Sequence, residues 1–132
     1  LVINGDVLTR VDFQTMFEFH KEHNAQMTVA VRAHEIQIPY GVIESEGASI
    51  TRIIEKPVFK HFINAGIYIL EPKVLDYTPT EKHYDMTDLI EILLSHGQQV
   101  LSFPIHEYWL DIGRFPEYKR AREDVANEFN FD

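Results

Sequence analysis

The order strand, helix, strand at the front of the chain constrains the fold more than any other feature. Leu1-Val2-Ile3 is an apolar run that reads as a buried strand, and Asn4-Gly5-Asp6 ends it with turn-forming residues. A helix follows over about Asp12 to His23, with Asp12 as N-cap and Phe13, Met16, Phe17 and His20 at helical spacing on one face. Asn24 stops that helix, and Met27 to Ala33 is apolar and β-branched, hence a strand. Strand–helix–strand favours a parallel crossover, which points to an α/β protein with a mixed sheet.

The middle of the chain changes character. Tyr40–Glu44 and Ser49–Ile54 flank Ser45-Glu46-Gly47-Ala48, a hairpin signal. Phe62 to Leu70 reads as a strand interrupted at Asn64-Ala65-Gly66, and Glu71-Pro72 opens a short helix or turn before a loop at Thr78-Pro79-Thr80. In the last third, Thr87 is the expected cap of a helix with Leu89, Ile90, Leu93 and Leu94 facing inward and Gly97 at its end. Val100 to Ile105 is a strand whose Pro104 suits an edge or terminal position. Tyr108 to Ile112 is a further extended run. Pro116 opens a terminal helix with Tyr118, Ala121, Val125 and Phe129 on one face.

Composition closes off several function classes. A length of 132 residues fits one domain, and 45% apolar with 25% charged residues is ordinary globular composition. The formal charge of −9 argues against a nucleic-acid binder, which needs a Lys/Arg footprint. No apolar run approaches the roughly 20 residues that span a bilayer, so no membrane partner is expected. The chain has no cysteine, which excludes thiol chemistry and suits a cytoplasmic location. It opens at Leu1, directly into a strand, so it is expected to begin partway through a larger domain.

Five places could carry chemistry. Asp6 follows a strand through a glycine, and ligands bind at strand ends in α/β sheets. It is either a carboxylate for a hard cation such as Mg²⁺ or a turn residue bonding its own backbone. Asp111 sits in the aromatic run Tyr108-Trp109-Leu110-Asp111-Ile112-Gly113, as a ligand-binding carboxylate or as a helix cap. Glu55-Lys56-Pro57 puts an anion and a cation at a strand end, as a phosphate contact or as a surface ion pair. Asn64-Ala65-Gly66 offers an amide and a bare backbone inside a strand, suited to sugar hydroxyls or a plain irregularity. Tyr40-Gly41 has the same two readings. The seven histidines show no metal spacing and read as surface or partly packed residues.

In order along the chain, Ile3-Asn4-Gly5-Asp6, Tyr40-Gly41-Val42-Ile43-Glu44, Glu55-Lys56-Pro57, Asn64-Ala65-Gly66-Ile67-Tyr68 and Trp109-Leu110-Asp111-Ile112-Gly113 resemble the sugar-1-phosphate nucleotidyltransferases. The flavour is that of mannose-1-phosphate guanylyltransferases and glucose-1-phosphate thymidylyltransferases. The resemblance implies a mixed, mostly parallel Rossmann-like sheet flanked by helices, the nucleotide-diphospho-sugar transferase fold. It implies transfer of a nucleotidyl group from an NTP to a sugar 1-phosphate, with pyrophosphate released. It implies Mg²⁺ held by Asp6 and Asp111, and Lys56 as the catalytic lysine on the sugar phosphate. Glu55 would take the sugar hydroxyls, with Gly5, Tyr40, Gly41, Asn64, Gly66 and Trp109 completing the substrate site. Family members commonly form dimers or tetramers, so association of copies is expected.

The family's opening glycine-rich loop, of the form GGxGTRLxPLT, has no match here. The N-terminal part of the catalytic domain is therefore expected to be missing from residues 1–132, which hold the sugar-phosphate and metal part and should not turn over alone. A GT-A glycosyltransferase is the first alternative, but it carries a DxD motif, whereas Asp6 is followed by Val7-Leu8. A non-catalytic regulatory or scaffolding relative is the second. Retention of Asp6, Lys56 and Asp111 speaks against it.

Overall fold

The computed structural model describes residues 1–79 and 83–128, with side chains through Val125. Thr80 and Phe129, expected in a loop and on the terminal helix face, lie outside the described residues. The elements run β1 (Val2–Ile3), β2 (Val7–Thr9), α1 (Phe13–Glu22), β3 (Met27–Gln37), β4 (Val42–Glu46), β5 (Ser49–Ile54), β6 (Val58–Leu70), a 3-10 helix (Pro72–Tyr77), α2 (Met86–Ser95), β7 (Val100–Pro104), β8 (Trp109–Asp111) and α3 (Phe115–Glu128). The chain divides into two compact units, Leu1–Val31 with Asn64–Asp132, and Arg32–Ile63.

The first unit is built on a sheet of order β1-β6-β3-β7, in which β1 and β6 are antiparallel and β3 and β7 parallel. The sheet is thus mixed, as expected, but not mostly parallel: β3–β7 is parallel, whereas β3 and β6 run antiparallel, with the Ile38 N–H bonded to the Pro57 carbonyl at one end and the Glu71 N–H to the Gln26 carbonyl at the other. β7 ends the order, where Pro104 costs no interior ladder bond. One face packs Val11, Met16, Ala30, Ala65, Ile67, Ile69 and Ile105 together, and the other Met27, Val29, Tyr68, Val74, Leu89 and Leu93. Each Val, Leu, Ile or Met among them contributes about 1.5–3 kcal/mol on burial, and each Ala less. A separate two-stranded ribbon, β2 with β8, pairs Val7 with Asp111, Leu8 with Leu110 and Thr9 with Trp109.

Local sequence explains the helices. The Asp12 side chain accepts hydrogen bonds from the Gln14 and Thr15 N–H groups, capping α1. Two inward positions hold: Met16 and His20 are 0% and 2% exposed. Phe17, expected inside, is 42% exposed. α2 is capped by Asp85 rather than Thr87. The Asp85 N–H donates to the Asp88 carboxylate at 3.2 Å, the reciprocal bond that an acidic third residue supplies. Leu89 and Leu93 face inward as expected, but Leu94 is 56% exposed.

Three other expectations are corrected. Val2-Ile3 of the Leu1-Val2-Ile3 run forms a strand at the end of the sheet order, but the three residues are 39–57% exposed rather than buried. β6 runs through Asn64-Ala65-Gly66 without a break; the irregularity is confined to Gly66, whose φ is +71°. The histidines are not all superficial. His20 is buried, with Nδ1 2.8 Å from the Thr28 hydroxyl and Nε2 3.3 Å from the Glu71 carboxylate.

The second unit contains the β4–β5 hairpin, in register Val42–Ile54, Ile43–Ile53 and Glu44–Arg52, with a bulge between Glu44 and Ser45. It also holds the distal half of β3 and the proximal half of β6. No residue of 32–63, all of them described, is buried.

Candidate active site

Asp6 and Asp111 are about a hundred residues apart in sequence, and the β2–β8 ribbon brings them together. The Ile112 N–H donates to the Asp6 carbonyl at 2.8 Å, continuing the ladder one step beyond Val7–Asp111. A Cβ built on Gly113 would lie 3.0 Å from Asp6 Oδ2 and 3.1 Å from Asp111 Oδ1. The two oxygens, each that close to one point, are therefore no more than about 6 Å apart. Both residues are exposed. Asp111 Oδ1 accepts the Gly113 N–H at 2.8 Å, which orients that carboxylate.

Two carboxylates opening on one exposed space suit a hard cation that keeps water or phosphate oxygens as its other ligands. Among the described residues there is no group of three or more His, Cys, Asp or Glu that could hold a metal alone. The donor set therefore fits a metal completed by substrate, not an all-protein cage.

Beside this pair lies a cleft of about 440 Å³ lined by Asn4, Asn64, Gly66, Tyr68, Tyr84 and Thr87, among others. Asn4 precedes Asp6 by two residues, so their Cα atoms are at most about 7.6 Å apart. The Gly66 N–H donates to Asn64 Oδ1 at 2.9 Å, and Asn64 Nδ2 donates to the Tyr68 hydroxyl at 2.9 Å. That chain fixes the Asn64 amide and leaves the Tyr68 O–H proton free to donate to a further acceptor. The positive φ of Gly66 is required here: a Cβ would fall 2.7 Å from Asn4 Nδ2. The Asn4 N–H also donates to the Gly66 carbonyl at 2.8 Å.

Trp109 donates its indole N–H to the Ala65 carbonyl at 2.8 Å and packs against the buried cluster around Met16. It ties β8 to β6, so the ribbon carrying Asp111 is anchored beside Asn64 and Gly66. The Tyr108 hydroxyl donates to Asp124 at 2.6 Å and ties β8 to α3. Gly5 lies in the turn between Asn4 and Asp6 with open space around its Cα.

Tyr40, Gly41, Glu55 and Lys56 belong to the second unit and form their own group at the base of the hairpin. The Lys56 N–H donates to the Tyr40 carbonyl at 3.2 Å, and a Cβ on Gly41 would lie 3.0 Å from Glu55 Oε2. Lys56 has φ +44°, a conformation that costs a non-glycine residue free energy and tends to occur where a side chain is held for function. Among the described residues neither Glu55 nor Lys56 is in a side-chain ion pair, so the surface-pair reading of Glu55-Lys56 is not what the fold builds.

Sequence reading missed β2, and with it the register that joins the two aspartates. Val7-Leu8-Thr9 carries a strand signal, but only three residues long. Asn4, Tyr68, Tyr84 and Thr87 were missed as cleft residues because they surround it from three separate segments. Size would not have found the site. Two recesses of about 480 Å³ each, sharing Gln26 and Lys73, are larger, and neither holds any of the motif residues.

The nucleotidyl transferase family profile matches residues 1–128, and the chain belongs to that family. It is 33% identical to a UTP–glucose-1-phosphate uridylyltransferase of Synechocystis, over 96% of this chain and 35% of that protein. It is 38% identical to a mannose-1-phosphate guanyltransferase of Yarrowia lipolytica, over 86% of this chain and 32% of that protein. The chain thus spans about a third of the length of these curated relatives. Its fold is shared with a structure described as a putative glucose-1-phosphate thymidylyltransferase from Bacillus anthracis in complex with a sucrose. The TM-score is 0.68 at 24% identity, covering 98% of this chain and 55% of that one. HddC from Yersinia pseudotuberculosis has the same fold, with TM-score 0.62 at 23% identity over 93% of this chain and 53% of that one. No helix among the described residues is long and apolar enough to cross a membrane.

Proposed function

We propose that this chain supplies the acceptor-sugar and metal part of a sugar-1-phosphate nucleotidyltransferase, which joins an NTP to a sugar 1-phosphate and releases pyrophosphate. The observation that carries this reading is the convergence of Asp6 and Asp111 at Gly113, beside a polar cleft, in a chain of this family. The reaction sets one anion against another, the sugar phosphate oxygen attacking the α-phosphorus of the NTP, so the site must supply positive charge. Bound Mg²⁺, held by Asp6 and Asp111, would neutralise phosphate charge there.

The remaining roles fall to the chain's own groups. The Lys56 ammonium takes the sugar phosphate as a compact point charge. Glu55 accepts hydrogen bonds from sugar hydroxyls, with Tyr40 and the bare Gly41 backbone beside it. Asn64 presents its second amide hydrogen and Tyr68 its hydroxyl proton to the sugar, and Gly66 lets the ring approach the main chain. Trp109 keeps the Asp111 ribbon against β6. Gly5 leaves the approach to Asp6 clear. A cytoplasmic setting and association of copies belong to the same reading, and the absence of cysteine accords with the first.

The test is pyrophosphate release by the full-length protein, supplied with each NTP and a panel of sugar 1-phosphates. Asp111→Asn should abolish most of the Mg²⁺-dependent release, and Lys56→Ala should raise KM for the sugar 1-phosphate more than it lowers kcat. Unchanged turnover in Asp111→Asn removes that residue from the site. Release of a nucleoside diphosphate instead of pyrophosphate would favour a glycosyltransferase.

A further inference from the structure

We infer that Gly113 is a positioning residue for the carboxylate pair: its bare Cα is the clearance that lets Asp6 and Asp111 face one divalent cation. The inference rests on the proposed metal role of the two aspartates and extends it to a residue that carries no ligand atom. Its basis is the position that a side chain would occupy. A Cβ on Gly113 would stand 3.0 Å from Asp6 Oδ2 and 3.1 Å from Asp111 Oδ1, both inside ordinary van der Waals contact. A methyl group would therefore be wedged between the oxygens that must turn towards the same ion.

The backbone beside Gly113 is tied to both aspartates. The Ile112 N–H is bonded to the Asp6 carbonyl at 2.8 Å, and the Gly113 N–H to Asp111 Oδ1 at 2.8 Å. Relief would have to come from the carboxylates swinging apart, which is easy because both are exposed. The cost of a side chain at 113 thus falls on the geometry of the pair and not on the fold.

Gly66 is the instructive contrast. It has φ +71° and lies against Asn4, so it is needed for the fold itself. Gly113 has no left-handed φ, so alanine fits its backbone without strain. Glycine at 113 is a liability for chain entropy that backbone geometry does not demand. The nearby oxygens supply the reason for it.

The experiment uses Mn²⁺ alone as the probe. Its binding to wild type, Gly113→Ala and Asp111→Asn is followed by the free-ion electron paramagnetic resonance signal, alongside thermal melts. Gly113→Ala should weaken Mn²⁺ binding by about 10–100-fold, as loss of ligand-orienting interactions does. Its melting temperature should be unchanged or raised. Binding by Gly113→Ala within error of wild type overturns the inference and leaves the metal reading standing. Absence of binding by wild type, repeated with a sugar 1-phosphate present to complete the coordination, sinks the metal reading and this inference with it. If Gly113→Ala unfolds, the wild-type Gly113 amide resonance decides: it should shift on Mg²⁺ titration, and a resonance that stays put overturns the inference.

Discussion

Two long strands, β3 and β6, run through both compact units, and their halves fare differently. Met27–Ala30 and Ala65–Ile69 are buried in the first unit, whereas Ala33–Gln37 and Val58–Phe62 are exposed in the second. The exposed halves are not short of apolar residues: Ile36, Val58, Phe59 and Phe62 are 41–67% exposed. The difference is what covers them. The first unit carries all three α-helices, and α1 and α2 put Met16 on one face of the sheet and Leu89 and Leu93 on the other. The second carries strands alone, and a two-stranded hairpin has no second layer to bury against. Apolar content therefore makes a strand, but a facing layer makes a core.

That contrast predicts an order of effects. Met16→Ala, in the middle of the first unit, should cost about 2–5 kcal/mol in urea unfolding, the usual range for a large-to-small change at a fully buried site. Gly66→Ala should cost about 1–3 kcal/mol, since it forces a side chain into a positive-φ position against Asn4. Comparable losses from Ile53→Ala, which is 65% exposed in the second unit, would break the contrast, because about 0.5 kcal/mol or less is expected there.

Asp12 and Lys60 sharpen the comparison through pH. The Asp12 carboxyl is held below its ordinary range by hydrogen bonds from the Thr15 side chain and backbone and from the Gln14 backbone. A depressed carboxylate stabilises above its unfolded value, and the contribution is lost as pH falls through the folded value. Asp12→Ala should therefore melt lower than wild type at neutral pH, and the gap should close in acid. Lys60 is raised by its bond to Glu35, whose Oε1 is 2.7 Å away. That contribution is full at neutral pH and fades only as pH rises through the raised value. Both side chains are exposed, so Lys60→Met should give the smallest change, with a melting temperature near that of wild type at neutral pH.

Much of the fold was legible because it is written locally. The Asp12 cap, the spacing of Met16 and His20, the β4–β5 hairpin (whose turn is Gly47-Ala48, two residues shorter than the sequence suggests) and the glycine after α2 are all short-range signals. What failed was the depth of burial. Phe17 and Leu94 have the right spacing but sit at the margin of the helix face, and Leu1-Val2-Ile3 is apolar yet lies on an end strand. The spacing puts His20 inward, but its partners, Thr28 and Glu71, could not be read because they come from two other elements. The site was legible as a set of motifs in order. Its grouping was not, since nothing local tells that Val7 pairs with Asp111.

The sequence by itself determined most element types, the Asp12 cap of α1, the glycine that ends α2 and the membership of Asp6, Lys56, Asn64 and Asp111 in an ordered set of motifs. These depend on backbone preference and on residues a few positions apart. Only the tertiary structure decided that Asp6 and Asp111 share the space over Gly113, that Asn64 is held by Tyr68 and Gly66, and that Asn4 forbids a side chain at 66. Those outcomes rest on contacts between segments far apart in the chain, where the register of one ribbon and a few ångströms of clearance set the geometry.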